Sequence, residues 1–211
     1  MVWVSKAKLV GRSNYTCMKA LITIILVGLV CHQTFAQKSL TFNDKDFRFV
    51  LKIDSSEYGC AVSKIDTYRQ KDNGLLQTLT PTENNHPCDA NKTAFIVEDM
   101  NFDGQADFRL LEFLPAAANM PYLYWLYDSK AGQFKINTKL ARITSPDFDK
   151  NTKVITSSWT DGCCRGGTDL YRYQSGRLVL FDRRIAGVKE DGNEYSEMWQ
   201  LKSGVLVRVK K

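Results

Sequence analysis

The chain has 211 residues, 25% charged and 44% hydrophobic, and a formal net charge of +6. Lys6, Lys8, Arg12 and Lys19 sit in an acid-free stretch of 36 residues, so the rest of the chain sets 25 bases against 23 acids. That balance excludes an obvious electrostatic nucleic-acid binder, which needs a basic stripe or face, and the apolar content excludes a disordered chain.

The first element is an address. Lys19 provides a positive start, and Ala20 to Val30 is apolar except for Thr23 and Gly28. Thr34-Phe35-Ala36 then places small residues at −3 and −1 before Gln37. This has the form of a secretory signal peptide, and its apolar core is too short for a spanning helix. The signal form is expected to start at Met18, just before Lys19. Val30 before Cys31 does not suit a lipid-attachment box. Cleavage after Ala36 leaves residues 37–211, a single domain by size, exported to the periplasm. No later run approaches the ~18 apolar residues needed to span a bilayer.

The remaining chain reads as β throughout. Phe47, Phe49, Leu51 and Ile53 alternate with Arg48, Val50 and Lys52, which is the period of a half-buried strand. Further strands are predicted at 60–69, 75–79, 93–98, 107–114, 122–128, 133–139, 153–159, 168–174, 177–184, 195–201 and 205–210. The segments 70–74 and 80–92 are polar connections rich in Asn, Asp, Pro and Gly. Three strand–turn–strand units end their turns in Gly132, Gly176 and Gly204. Their recurrence suggests repeated antiparallel hairpins, as in a meander or propeller.

Four cysteines follow the signal: Cys60, Cys88, Cys163 and Cys164. An even number in an exported chain reads as two disulfides with three possible connectivities. Cys60–Cys88 is favoured, which leaves Cys163 to bond its neighbour Cys164. The other two arrangements tie the halves of the chain together.

Residues 99–107 carry the sharpest motif, Asp99-x-Asn101-x-Asp103-Gly104-Gln105-x-Asp107. Oxygens at positions 1, 3 and 5 converge when the chain curls. Gly at 6 permits the turn, the carbonyl of Gln105 adds a ligand, and Asp107 closes the cage around calcium. Leu110 stands where a helix–loop–helix sensor has its last Glu, and strand-like segments flank the loop. The loop resembles the calcium loops of FG-GAP and integrin-type propeller repeats, where the ion stiffens a hairpin.

Catalytic patterns are absent. His86 is the single histidine after the signal, it lies among turn formers, and no nucleophile elbow accompanies it. The chain is read as a binding protein rather than an enzyme. Its recognition element is expected in 157–171, a glycine-rich segment that offers Arg165, Gly167, Thr168 and Tyr171 to a partner.

The order of these parts carries a resemblance over residues 93–183. The acidic loop is followed by Pro121-Tyr122-Leu123-Tyr124-Trp125-Leu126-Tyr127. Next come Ser145-Pro146-Asp147-Phe148-Asp149, Gly167-Thr168-Asp169-Leu170-Tyr171-Arg172-Tyr173 and Gly176-Arg177-Leu178-Val179-Leu180. This resembles the periplasmic lysozyme-inhibitor-like immunity proteins that partner peptidoglycan-cleaving toxins of type IV secretion. The resemblance implies an all-β, antiparallel, incomplete β-propeller-like meander with a bound calcium. It also implies that a projecting loop blocks a peptidoglycan hydrolase or lysozyme-like toxin. The alternative is a calcium-stabilised envelope module that binds glycan or protein without inhibiting anything.

Overall fold

The computed structural model describes residues 38–56, 59–81, 95–116 and 118–209. The signal segment, Cys88 and most of the 80–92 connection lie outside the described residues. The fold of the described residues is all-β and antiparallel, with one short 3-10 turn at Leu140–Arg142 and no closed barrel among them. No described helix is long and apolar enough to cross a membrane.

Among the described residues fourteen strands form three sheets in chain order. The first sheet holds β1 (Lys38–Asn43), β2 (Phe47–Ser56), β3 (Gly59–Arg69) and β4 (Leu75–Leu79). The middle sheet holds β5 (Phe95–Glu98), β6 (Asp107–Leu111), β7 (Tyr122–Asp128) and β8 (Gln133–Ile136). The last sheet runs from β9 (Pro146–Asp149) through β10 (Val154–Asp161), β11 (Arg165–Gln174), β12 (Arg177–Val188) and β13 (Glu194–Lys202) to β14 (Val205–Val209). Within each sheet every strand pairs with its neighbours in sequence, so each sheet is a meander. The strands β1 and β9 are absent from the sequence expectation, because both are short and polar.

The hairpin turns explain the recurring glycines. Ser175 and Gly176 have φ of 47° and 73°, and Ser203 and Gly204 have 49° and 84°. Both central residues are left-handed, as a two-residue turn must be to match the strand twist. Glycine carries the second position at no steric cost.

The middle sheet is covered on both faces. Phe47, Phe49, Leu51, Val62 and Ile65 of the first sheet meet Phe95, Phe108, Leu110, Leu123, Trp125 and Phe134 of the middle one. Phe49 lies 5.1 Å from the Phe108 ring, which stacks on Trp125 at 5.0 Å. On the opposite face Met100, Leu111, Tyr122 and Tyr124 meet Ile155 of the last sheet, with Tyr171 and Tyr173 packed alongside. Each fully buried large apolar side chain contributes about 1.5–3 kcal/mol relative to exposure. Strand β6 is therefore buried at all five positions, charged ones included.

Arg109 of β6 joins the middle sheet to the last. Its guanidinium donates to the Pro146 carbonyl at 3.0 Å and pairs with Glu98 at 2.9 Å. It also lies over the Tyr122 and Phe148 rings at 4.7 and 5.1 Å. Burial holds the Glu98 carboxyl above the usual range, against the pull of Arg109. Truncating Arg109 leaves that carboxylate half-desolvated and alone. Arg109→Ala should lower the unfolding free energy by about 3–5 kcal/mol at neutral pH, as for a broken buried pair. The loss should shrink in acid, where Glu98 becomes neutral. Urea titrations at the two pH values check this, and an equal loss at both would remove Glu98 from the account.

Candidate functional site

Two places on this scaffold gather polar groups. The first is the turn between β5 and β6. Phe102 and Gly104 have φ of 62° and 87°, which curls the chain back on itself. The Asp99 carboxylate accepts from the N–H groups of Asp103 at 3.0 Å and Gly104 at 2.8 Å. The Asn101 side-chain oxygen also accepts from Asp103 N–H at 3.0 Å, while its amide donates to the Asp103 carboxylate at 2.9 Å. Gln105 enters through its N–H, which donates to Asp103 at 2.8 Å.

Asp107 is the anchor of this turn. It is buried, and its two oxygens accept from Met100 N–H at 3.0 Å and Tyr127 N–H at 2.8 Å. Burial pushes its carboxyl up to about 7, Asp103 and Asp99 push the same way, and the two amides oppose them. Among the described residues no three Asp, Glu, His or Cys side chains converge into a ready metal cage. The donor chemistry still fits a hard cation. The charges of Asp99 and Asp103 act on Asp107, Asn101 adds a neutral oxygen, and no nitrogen or sulfur ligand stands at the other ligand positions of the motif.

Phe102 extends the influence of the turn. Its ring lies 6.4 Å from both Phe148 and Tyr173 of the last sheet, and its carbonyl accepts from the Lys153 ammonium at 3.5 Å. The turn is thus packed against the seam between the middle and last sheets.

The second place is the free end of the β10–β11 hairpin. The segment 157–171 is not a loop. Ser157 pairs with Asp169, Trp159 with Gly167 and Asp161 with Arg165, so only Gly162, Cys163 and Cys164 form the turn. Cys163 and Cys164 are bonded to each other. The Cys164 carbonyl accepts from Val188 N–H at 2.9 Å, which ties the turn to β12. On the other edge, Asn119 pairs with the Thr160 backbone in both directions, at 2.7 and 2.8 Å.

Alternation distributes the four expected contact residues unevenly. Arg165, Gly167 and Tyr171 share one face of β11, and Thr168 takes the other. Arg165 is exposed, pairs with Asp161 at 3.1 Å and reaches over the Trp159 ring at 5.7 Å. The space beside Gly167 is filled by this chain itself. A Cβ there would stand 2.6 Å from the Trp159 ring and collide with the Arg184 carbonyl. Tyr171 is half-buried against the second core cluster and donates to Asp169 at 3.2 Å. Burial, and then the Asp169 charge, push its hydroxyl up to about 12. Asp169 is itself buried and held by a two-pronged Arg183 guanidinium at 2.7 and 2.6 Å.

Trp159, Asp169, Arg183 and Asn119 are therefore the residues that shape this end, and the sequence does not single them out. They line a cavity of about 370 Å³ together with Arg142 and Asp161. A broader groove of about 1020 Å³ lies on the other face, floored by Ser158, Gly166, Ala186 and Ser196 with Thr168 and Arg184. Gly167→Ala should destabilise the protein by about 1–3 kcal/mol, the usual cost of overpacking. Its thermal melt should move, and the near-UV signal of Trp159 should change with it. An unchanged melt would show that the indole is not seated on Gly167.

An antiparallel β meander with an acidic turn between β5 and β6 is the class that these observations define. A solved structure described as a Xanthomonas type IV secretion system related protein shares the fold. Its TM-score is 0.62 at 18% identity, covering 85% of this chain and 96% of that one. A second structure, a Bacteroides fragilis protein of unknown function, has a TM-score of only 0.26 at 4% identity, covering 83% and 91%, and carries no argument. No family model and no curated protein matches the chain.

Proposed function

We propose that this chain is an exported periplasmic protein that inhibits a peptidoglycan-cleaving hydrolase, with the free end of the β10–β11 hairpin as the blocking element. The observation that carries this reading is the hairpin itself. Residues 158–168 belong to neither buried apolar cluster, yet both edges are tied and the tip is closed by a bond between adjacent cysteines. An element that is already ordered loses little entropy on entering a cleft. Arg165, with its five N–H donors, suits a cleft lined by catalytic carboxylates. The shared fold with a type IV secretion system related protein is consistent with a role beside that machinery.

In this reading calcium binds at 99–107 through Asp99, Asn101, Asp103, Asp107 and the Gln105 carbonyl, and acts on stability. It would offset the mutual repulsion of the three carboxylates that surround a turn packed on the sheet seam. At free calcium about 100 times the dissociation constant, linkage gives about 2.7 kcal/mol. Chelation should lower the melting temperature of the parent, and Asp103→Ala should be insensitive to chelator. A parent melt that ignores both added calcium and chelator would remove the ion from the proposal.

Inhibition is tested with the exported protein against a lysozyme-type hydrolase acting on purified cell wall. Equimolar protein should stop the clearing of the wall suspension. Arg165→Ala should weaken the block at least tenfold while the melt stays with the parent. Tyr171→Phe should instead act through Asp169 and Arg183, and move stability more than inhibition. A parent that blocks no hydrolase of this class, at any ratio, defeats the assignment.

A further inference from the structure

The edges of the sheets are guarded unequally. At the β4 edge, the Gln77 side chain donates to the Phe134 carbonyl at 3.2 Å and accepts from its N–H at 2.9 Å, which laces β4 to β8. The β9 edge has four residues, opens on Pro146 and carries Asp147 and Asp149. Asn119 covers the end of β10. Short length, proline, charge and covering side chains are the ordinary defences of an edge strand.

Strand β14 has neither a proline nor a covering side chain among the described residues. It reads Val-Leu-Val-Arg-Val from Val205 to Val209, pairs with β13 on one side, and ends the six-stranded sheet on the other. Among the described residues nothing pairs with its outer edge. Val205 is 63% exposed although it sits in a strand. The single charge, Arg208, is drawn back onto Glu197 of β13 at 3.2 Å. The alternate N–H and C=O groups that point away from β13, with a β-branched apolar row beside them, are a template for another strand.

We propose that β14 pairs antiparallel with β14 of a second copy, across a twofold axis at Val207, so that two last sheets become one continuous sheet. The sequence of the strand is complementary to itself in this register. Val207 faces Val207, Val205 faces Val209, and Leu206 faces Arg208, so all five residues pair. Moving the axis to Arg208 would set guanidinium against guanidinium, which is unfavourable for residues directly opposed. Val205, Val207 and Val209 of both copies then share one face, next to Met198, which already pairs with Val209 at the rim of the larger groove. A twofold contact of this kind uses both free edges and leaves no open end, whereas a non-closing contact would propagate.

The experiment uses the exported protein in sedimentation velocity from sub-micromolar to high-micromolar concentration. The parent should pass from monomer to dimer and go no further. Val207→Lys should sediment as a monomer with unchanged far-UV circular dichroism, while Leu114→Lys, an exposed apolar position outside the strand, should dimerise like the parent. Cysteine scanning reads the register independently of that variant's folding. Val207→Cys should form an intermolecular disulfide on mild oxidation, because directly opposed side chains come within bonding range. Val205→Cys should not bond to its own copy, but the double variant Val205→Cys with Val209→Cys should. A parent that stays monomeric at every concentration overturns the proposal. So does a dimer that persists in folded Val207→Lys, or a strand that accepts only a foreign protein.

Discussion

Double burial of β6 is the constraint on which the rest of the structure depends. Phe108 and Leu110 face the first sheet and Leu111 faces the last, so this strand contributes to both buried clusters. Arg109 can occupy its middle only because the Pro146 carbonyl, Glu98 and two aromatic rings receive the guanidinium. Asp107 can occupy its start only because two backbone amides satisfy it. A buried charge left without partners would cost several kcal/mol, so these contacts bring β5, β6, β7 and β9 into one register.

The acidic turn inherits its position from this arrangement. Asp107 belongs both to β6 and to the turn, and Phe102 carries the curl across to Phe148 and Tyr173. Charge within the turn is thereby coupled to packing at the seam between two sheets. The hairpin is different in kind. Beyond Ile155 and Tyr171 it leaves the core, and what holds it is local: Trp159 seated on Gly167, Arg183 gripping Asp169, and tied edges on both sides. Rigidity there comes from polar and backbone contacts, which leave side chains such as Arg165 free to face solvent.

Alternation made β2 legible in advance, because one of its faces is fully buried while the other carries the half-buried Arg48 and Lys52 on either side of Val50. Phe47, Phe49, Leu51 and Ile53 are all in the core. The glycine turns at 176 and 204 were legible because a left-handed residue is needed wherever two strands join by two residues. Gly166 and Gly167 carry the same letter for another reason, close packing within a strand, and composition does not separate the two. The glycine-rich segment around them therefore read as a loop, while the structure pairs it as β10 and β11. Asp169 and Arg183 escaped notice because their contact joins two strands across a ladder, and no spacing marks it.

The sequence by itself determined the all-β meander, the turn chemistry and the acidic turn, since each depends on neighbours within a few residues. Periodicity, left-handed glycines and Asx side chains act over that range and leave a pattern in the letters. The sequence reading that favoured Cys60–Cys88 left Cys163 to bond Cys164, and that neighbour bond is present. Only the tertiary structure decided which charges are buried, which glycines make room for an indole, and which strand edges stay open among the described residues. Each of these depends on what lies across a ladder or on the facing sheet, and burial of a polar group becomes favourable only after its partners arrive from elsewhere in the chain.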